Sequence, residues 1–139
     1  MKKLLFVLLG IGLLAGACTL PATAAPTAVA FHYGDNPPWD ELQAFDLVVV
    51  DPDHVKDPGA PGLPNTRLAA YVSVGEVHPS RAYAAQIPAD WLRGDNSDWC
   101  SRLIDQSNPA WPVFFADIIL TPLCNAGYLD FLFDIYDTF

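Results

Sequence analysis

Four carboxylates stand where an apolar segment gives way to a loop. Asp51 follows Leu47-Val48-Val49-Val50, Glu76 follows Val72-Ser73-Val74-Gly75, Asp105 follows Leu103-Ile104, and Asp134 follows Phe131-Leu132-Phe133. Tyr33 closes a fifth such segment, Ala28 to His32. Two carboxyl groups facing one bond are what glycoside hydrolysis needs. One protonates the leaving oxygen, and the other attacks or activates water, at about 5–5.5 Å separation in retaining enzymes and about 6.5–9.5 Å in inverting ones. On this pattern Asp134, ending a buried apolar strand, is the first choice for nucleophile or charge stabiliser, against the alternative of a loop or helix cap. Glu76 is the proton donor if burial raises its pKa, or otherwise a substrate-binding or ion-paired acid. Asp51 either hydrogen-bonds substrate or braces the turn at Pro52. Tyr33 either stacks on a sugar face or packs, and Asp137 is placed to meet sugar hydroxyls or amines.

Other chemistries lack their residues. His32, His54 and His78 form no H-x-x-x-H pair, so no metal site is expected. There is no G-x-S-x-G elbow, no C-x-x-C, and no glycine-rich phosphate loop after any strand, so no cofactor is implied.

The elements that must position these acids alternate. Residues 28–33 read as a strand, 38–45 as a short helix and 46–51 as a continuous β-branched strand. A Pro/Gly-rich loop over 53–66 leads to a strand at 67–74, then a short helix near 80–85 and a weak fourth strand at 103–105. The longest helix runs to Leu123, with Asn108 as N-cap, Pro109 at N1 and Gly127 as the stop. A last apolar strand covers 128–134, and Trp111 belongs to the core. Strands alternating with helices at this spacing predict a parallel α/β architecture, with the chemistry at the C-terminal strand ends of a barrel or an open sheet.

Lys2-Lys3, the uncharged run Leu4–Ala17 and the small residues behind it form an export leader, too short to span a bilayer as a helix. Cleavage fits Ala22-Thr23-Ala24. It also fits a lipobox-like Leu14-Ala15-Gly16-Ala17-Cys18, which would lipidate Cys18 and anchor the chain to a membrane. The expected division is therefore 1–25 leader and tether, 26–139 domain, exported to the periplasm, cell surface or medium. Cys100 and Cys124 then remain, either as a disulfide or as two buried thiols. With 7 Lys+Arg against 16 Asp+Glu the net charge is −9, and it becomes −11 once Lys2 and Lys3 leave with the leader. That charge excludes a nucleic-acid partner, while 52% apolar residues exclude a disordered tail. A complete (β/α)8 barrel needs about 250 residues. The 139 residues here, less the leader, match about its first half.

His32-Tyr33-Gly34, Val48-Val49-Val50-Asp51-Pro52, Ala70-Tyr71-Val72-Ser73-Val74-Gly75-Glu76, Asp105 with Pro109-Ala110-Trp111, Gly127-Tyr128, and Phe131 to Asp137 occur in that order. Together they resemble glycoside hydrolase family 114, the endo-α-1,4-polygalactosaminidase type related to the Pel polysaccharide hydrolase domain. The last block departs from the family pattern at Asp130-Phe131 and Ile135-Tyr136 but keeps both acids. The resemblance implies a (β/α)8 TIM barrel truncated to its front half. It also implies hydrolysis of an amino-sugar polysaccharide without cofactor, and a second catalytic carboxylate on a later strand. The rival reading is a surface glycan-binding lipoprotein without turnover, or an incomplete fragment; a homodimer of half-barrels would close the open core.

Overall fold

A computed structural model describes residues 25–135. Cys18, Asp137 and the leader up to Ala24 lie outside the described residues. Four strands form one parallel sheet: β1 (Val29–His32), β2 (Leu47–Val50), β3 (Arg67–Ser73) and a strand reached only at Asp130–Asp134. Between them come α1 (Trp39–Leu42), β4 (Glu76–Val77), β5 (Leu92–Asn96) and β6 (Ser101–Ile104). These are followed by a helix built from α2 (Trp111–Phe114), a π-helical stretch (Phe115–Leu120) and α3 (Thr121–Asn125), so the Asp130–Asp134 strand is β7. Each strand pairs with the next in the order β1-β2-β3-β7, in parallel register from Val29↔Leu47 to Ser73↔Asp134. This is the strand order of the front half of a (β/α) barrel.

The strand most continuous in sequence is the best buried. Val48 and Val50 are fully covered and join Leu68, Ala70 and Val72 in one core with Trp111, Ile119 and Tyr128. Each such side chain contributes about 1.5–3 kcal/mol by leaving water. The opposite face carries Phe31, Tyr33 and Tyr71 in ring contact, at 6.4 Å and 5.1 Å between centroids. There Phe31 is 58% exposed, so only one face of β1 is covered. The start of β1 is pinned by Asp46, whose carboxylate accepts bonds from the backbone and hydroxyl of Thr27 and from Ala28 N–H.

Four expectations are corrected. The segment ending at Asp105 is not a barrel strand: β6 runs antiparallel between β4 and β5 in a separate three-stranded ribbon. Ser101-Arg102-Leu103-Ile104 carries a hydroxyl and an exposed arginine in its first half and never forms the unbroken apolar run of a two-face-buried strand. The residues near 80–85 make only a 3-10 turn at Ala84–Gln86. The long helix begins at Trp111, not Pro109; the Asn108 side chain accepts from Ala110 N–H one step before it. Its middle widens to a π-helix immediately before Pro122, which has no N–H to close an α-helical turn. The stop at Gly127 holds, with φ at +107°. Finally, Cys100 and Cys124 do not pair: both thiols are free and exposed, one at the β5–β6 turn and the other in α3.

Candidate active site

Three strand ends of the parallel sheet deliver Tyr33, Asp51 and Asp134 to one rim, and Tyr71 reaches them from within β3. Asp134 is exposed, and its Oδ2 accepts a 2.6 Å hydrogen bond from the Tyr71 hydroxyl. The Tyr71 ring meets Tyr33 edge-on at 5.1 Å. Burial, then the bond to Asp134 and its charge, with smaller contributions from Tyr33 and Glu76, push the Tyr71 phenol far above its ordinary range. Tyr71 therefore stays a proton-bearing donor across neutral pH and fixes the orientation of the Asp134 carboxylate. Tyr33 is raised as well, by burial and by the charges of Asp134 and Asp51, which places all three groups in one electrostatic neighbourhood. Ser73, the register partner of Asp134, has a buried hydroxyl with no protein partner.

Asp51 has a different environment. Its two oxygens take a bidentate grip from Arg81 at 2.6 and 2.9 Å, and Oδ1 also accepts the backbone N–H of Asp53. Arg81 spans to Asp53 at 2.8 Å. Burial acts to raise the Asp51 pKa, but the Arg81 bonds and charge outweigh it and hold the carboxyl below its ordinary value. The Asp53 N–H contact braces the turn after β2. Glu76 is likewise engaged: it is half-buried, and its Oε2 accepts from Asn96 at 2.9 Å and from the Ser101 hydroxyl at 2.7 Å. Those donors flank the β5–β6 turn, so Glu76, the first residue of β4, holds that turn within the ribbon. Asp105 lies off this rim, held by Arg93 and by Ser107.

Sequence reasoning passed over Tyr71, Arg81 and Ser73. Tyr71 and Ser73 were legible by period-two alternation, which puts them on one face of β3. Arg81 lies in an irregular connection without a pattern to mark it. Among the described residues no group of three or more His, Cys, Asp or Glu converges as a metal site, and no helix is long and apolar enough to cross a membrane.

The profile of glycoside-hydrolase family GH114 matches residues 15–139. The chain belongs to this family. The solved glycoside hydrolase domain of PelA from Pseudomonas aeruginosa is similar, with 31% identity and a TM-score of 0.65, covering 79% of this chain and 45% of that one. Ega3 of Aspergillus fumigatus, solved in complex with galactosamine, shares the fold at 15% identity and a TM-score of 0.57, covering 77% of this chain and 42% of that one. The chain thus spans less than half the length of each of these two solved chains. No curated protein matches it significantly.

Proposed function

We propose that this chain is an exported glycosidase component acting on an amino-sugar polysaccharide of the α-1,4-linked galactosamine type. In this reading Asp134 is the reacting carboxylate, as nucleophile or charge stabiliser. The observation that carries the proposal is the Tyr71–Asp134 hydrogen bond at the end of the last parallel strand. It leaves one Asp134 oxygen oriented and the carboxylate exposed to the rim. Family membership and the galactosamine bound in Ega3 support the substrate class. Tyr33 offers a ring 45% exposed beside Asp134, on which a sugar face can rest, and Asp137, three residues after Asp134 in sequence, is proposed as a further sugar-binding acid. Export, by a cleaved leader or by lipid on Cys18, is part of the same proposal, because Lys2-Lys3, the uncharged run Leu4–Ala17 and the small residues behind it form the pattern of an export leader.

A second reading, glycan binding without turnover, is favoured by the state of Glu76, whose Oε2 is committed to Asn96 and Ser101. The deciding experiment incubates the chain with α-1,4-galactosamine oligomers and counts new reducing ends. Hydrolysis that Asp134→Asn lowers by about a thousandfold, at an unchanged circular dichroism spectrum, supports the glycosidase. Saturable binding without new ends supports the second reading. Neither binding nor release overturns both.

A further inference from the structure

Beside the carboxylate rim lies a second open cleft of about 620 Å³, within the size range of small-molecule sites. Asp51 lines it from β2, so it adjoins the rim through a shared residue. Trp99, at the turn joining β5 and β6, lines it as well, with 71% of its surface exposed. An indole left that open loses the hydrophobic stabilisation it would gain by burial, and nothing in the ribbon packs against it as a ring partner among the described aromatic contacts. The turn that holds it is constrained. Cys100, next to Trp99, is the only non-glycine residue with positive φ (52°) among the described residues, and the two Glu76 bonds fasten both flanks of the turn.

The charges in this cleft balance. Asp51 and Asp53 are matched by Arg81 and Lys56, and Arg81 already bridges both acids. A protonated amino sugar finds no uncompensated carboxylate here, unlike at Asp134. A neutral ring finds an aromatic face together with the polar groups of His54, His78 and Ser80.

We infer that Trp99 is a stacking platform for an uncharged pyranose unit of the polysaccharide, in particular an N-acetylated hexosamine, at a subsite one step removed from the carboxylate rim. This rests on the amino-sugar reading above and deepens it. The polymer chain would pass from Asp134 and Tyr33 over Asp51 to Trp99, and the cleft would select acetylated over free-amine units.

The test titrates the full chain with N-acetylgalactosamine oligomers and with their de-N-acetylated counterparts, following tryptophan fluorescence and heat. Trp99→Ala should weaken binding of the acetylated oligomer about tenfold. Trp99→Phe should recover most of it, and both variants should keep the wild-type circular dichroism spectrum because the side chain is exposed. Wild-type binding that Trp99→Ala leaves unchanged overturns the inference alone. A Trp99-dependent preference for the free-amine oligomer also overturns it, because the neutral-ring assignment fails. A wild-type chain that binds neither oligomer overturns the inference and the amino-sugar reading together.

Discussion

The parallel sheet and the antiparallel ribbon place their acids to opposite ends. In the sheet, Asp134 ends a strand whose neighbours are covered by the long helix, and one tyrosine holds it while it stays open to the rim. In the ribbon side, Glu76 begins a two-residue strand and gives its carboxylate to Asn96 and Ser101, holding a turn in place. A rigid, buried scaffold can leave a polar group exposed for chemistry, because the scaffold does not need that group. A thin ribbon with few buried residues must use its polar groups for its own stability. The position of an acid at a strand end is therefore weaker evidence for catalysis than the burial of the strand behind it.

The largest expected contrast between the regions comes from their aromatic residues. Trp111 is 3% exposed and stacked on Phe114, with Phe115 tilted against it. Trp111→Ala should remove about 3–5 kcal/mol of unfolding free energy in urea. Trp99→Ala should stay within about 0.5 kcal/mol of wild type. Equal losses would break the distinction between a packed scaffold and an applied ribbon.

That contrast tracks what the sequence could express. Val48-Val49-Val50, Gly127 and the Phe131–Asp134 strand were readable because unbroken apolar runs and a left-handed stop are local signals. The parallel order and the place of Asp134 followed from them. The ribbon was not readable. Gly94, Asp95, Asn96 and Ser97 look like loop composition, and the pairing of β4 with β6 joins residues some 25 positions apart. The Arg81 grip on Asp51 was hidden for the same reason: an ion pair across 30 residues leaves no mark on local composition.

The Arg81–Asp51 pair comes next in size. Its side chains are 18% and 14% exposed, so it is partly shielded from water. Arg81→Ala leaves Asp51 with only the Asp53 amide and should cost about 1–3 kcal/mol. Because the folded pKa of Asp51 is lowered, its contribution is present above the ordinary value of 3.8 and is lost as pH falls through the folded value. Wild type should therefore lose stability on acidification below about pH 4 more steeply than Arg81→Ala. Parallel acid curves would show that the pair does not brace the rim.

A smaller and more local effect is expected at Glu76. Glu76→Ala removes the acceptor of two hydrogen bonds and should cost about 1–2 kcal/mol, felt in the ribbon first. Amide hydrogen exchange should quicken at Arg102 and Leu103, which pair with β4, while Val48–Val50 keep their protection. Uniform acceleration across both sheets would mean that ribbon and scaffold open as one unit.

The smallest expected change tests the sheet side from the alkaline end. The Tyr128 hydroxyl, almost fully buried, donates to Val55 O at 2.5 Å and ties the loop after β2 to the approach of β7. Burial, with the charges of Asp51 and Asp57, pushes its pKa to about 12 from the ordinary 10.0. The folded state thus favours the neutral phenol, so this stability is complete below pH 10 and is lost as pH rises toward 12. Tyr128→Phe should cost about 1 kcal/mol at neutral pH through the lost bond. The variant should also decline less between pH 10 and 12, since it no longer has that proton to lose. No tyrosine lies in β4, β5 or β6, so this alkaline component belongs to the sheet side. An unchanged alkaline slope in Tyr128→Phe would reassign the loss to the other raised phenols, Tyr33, Tyr71 and Tyr83, and so to the rim and its neighbouring loop, not to the buried tie beneath it.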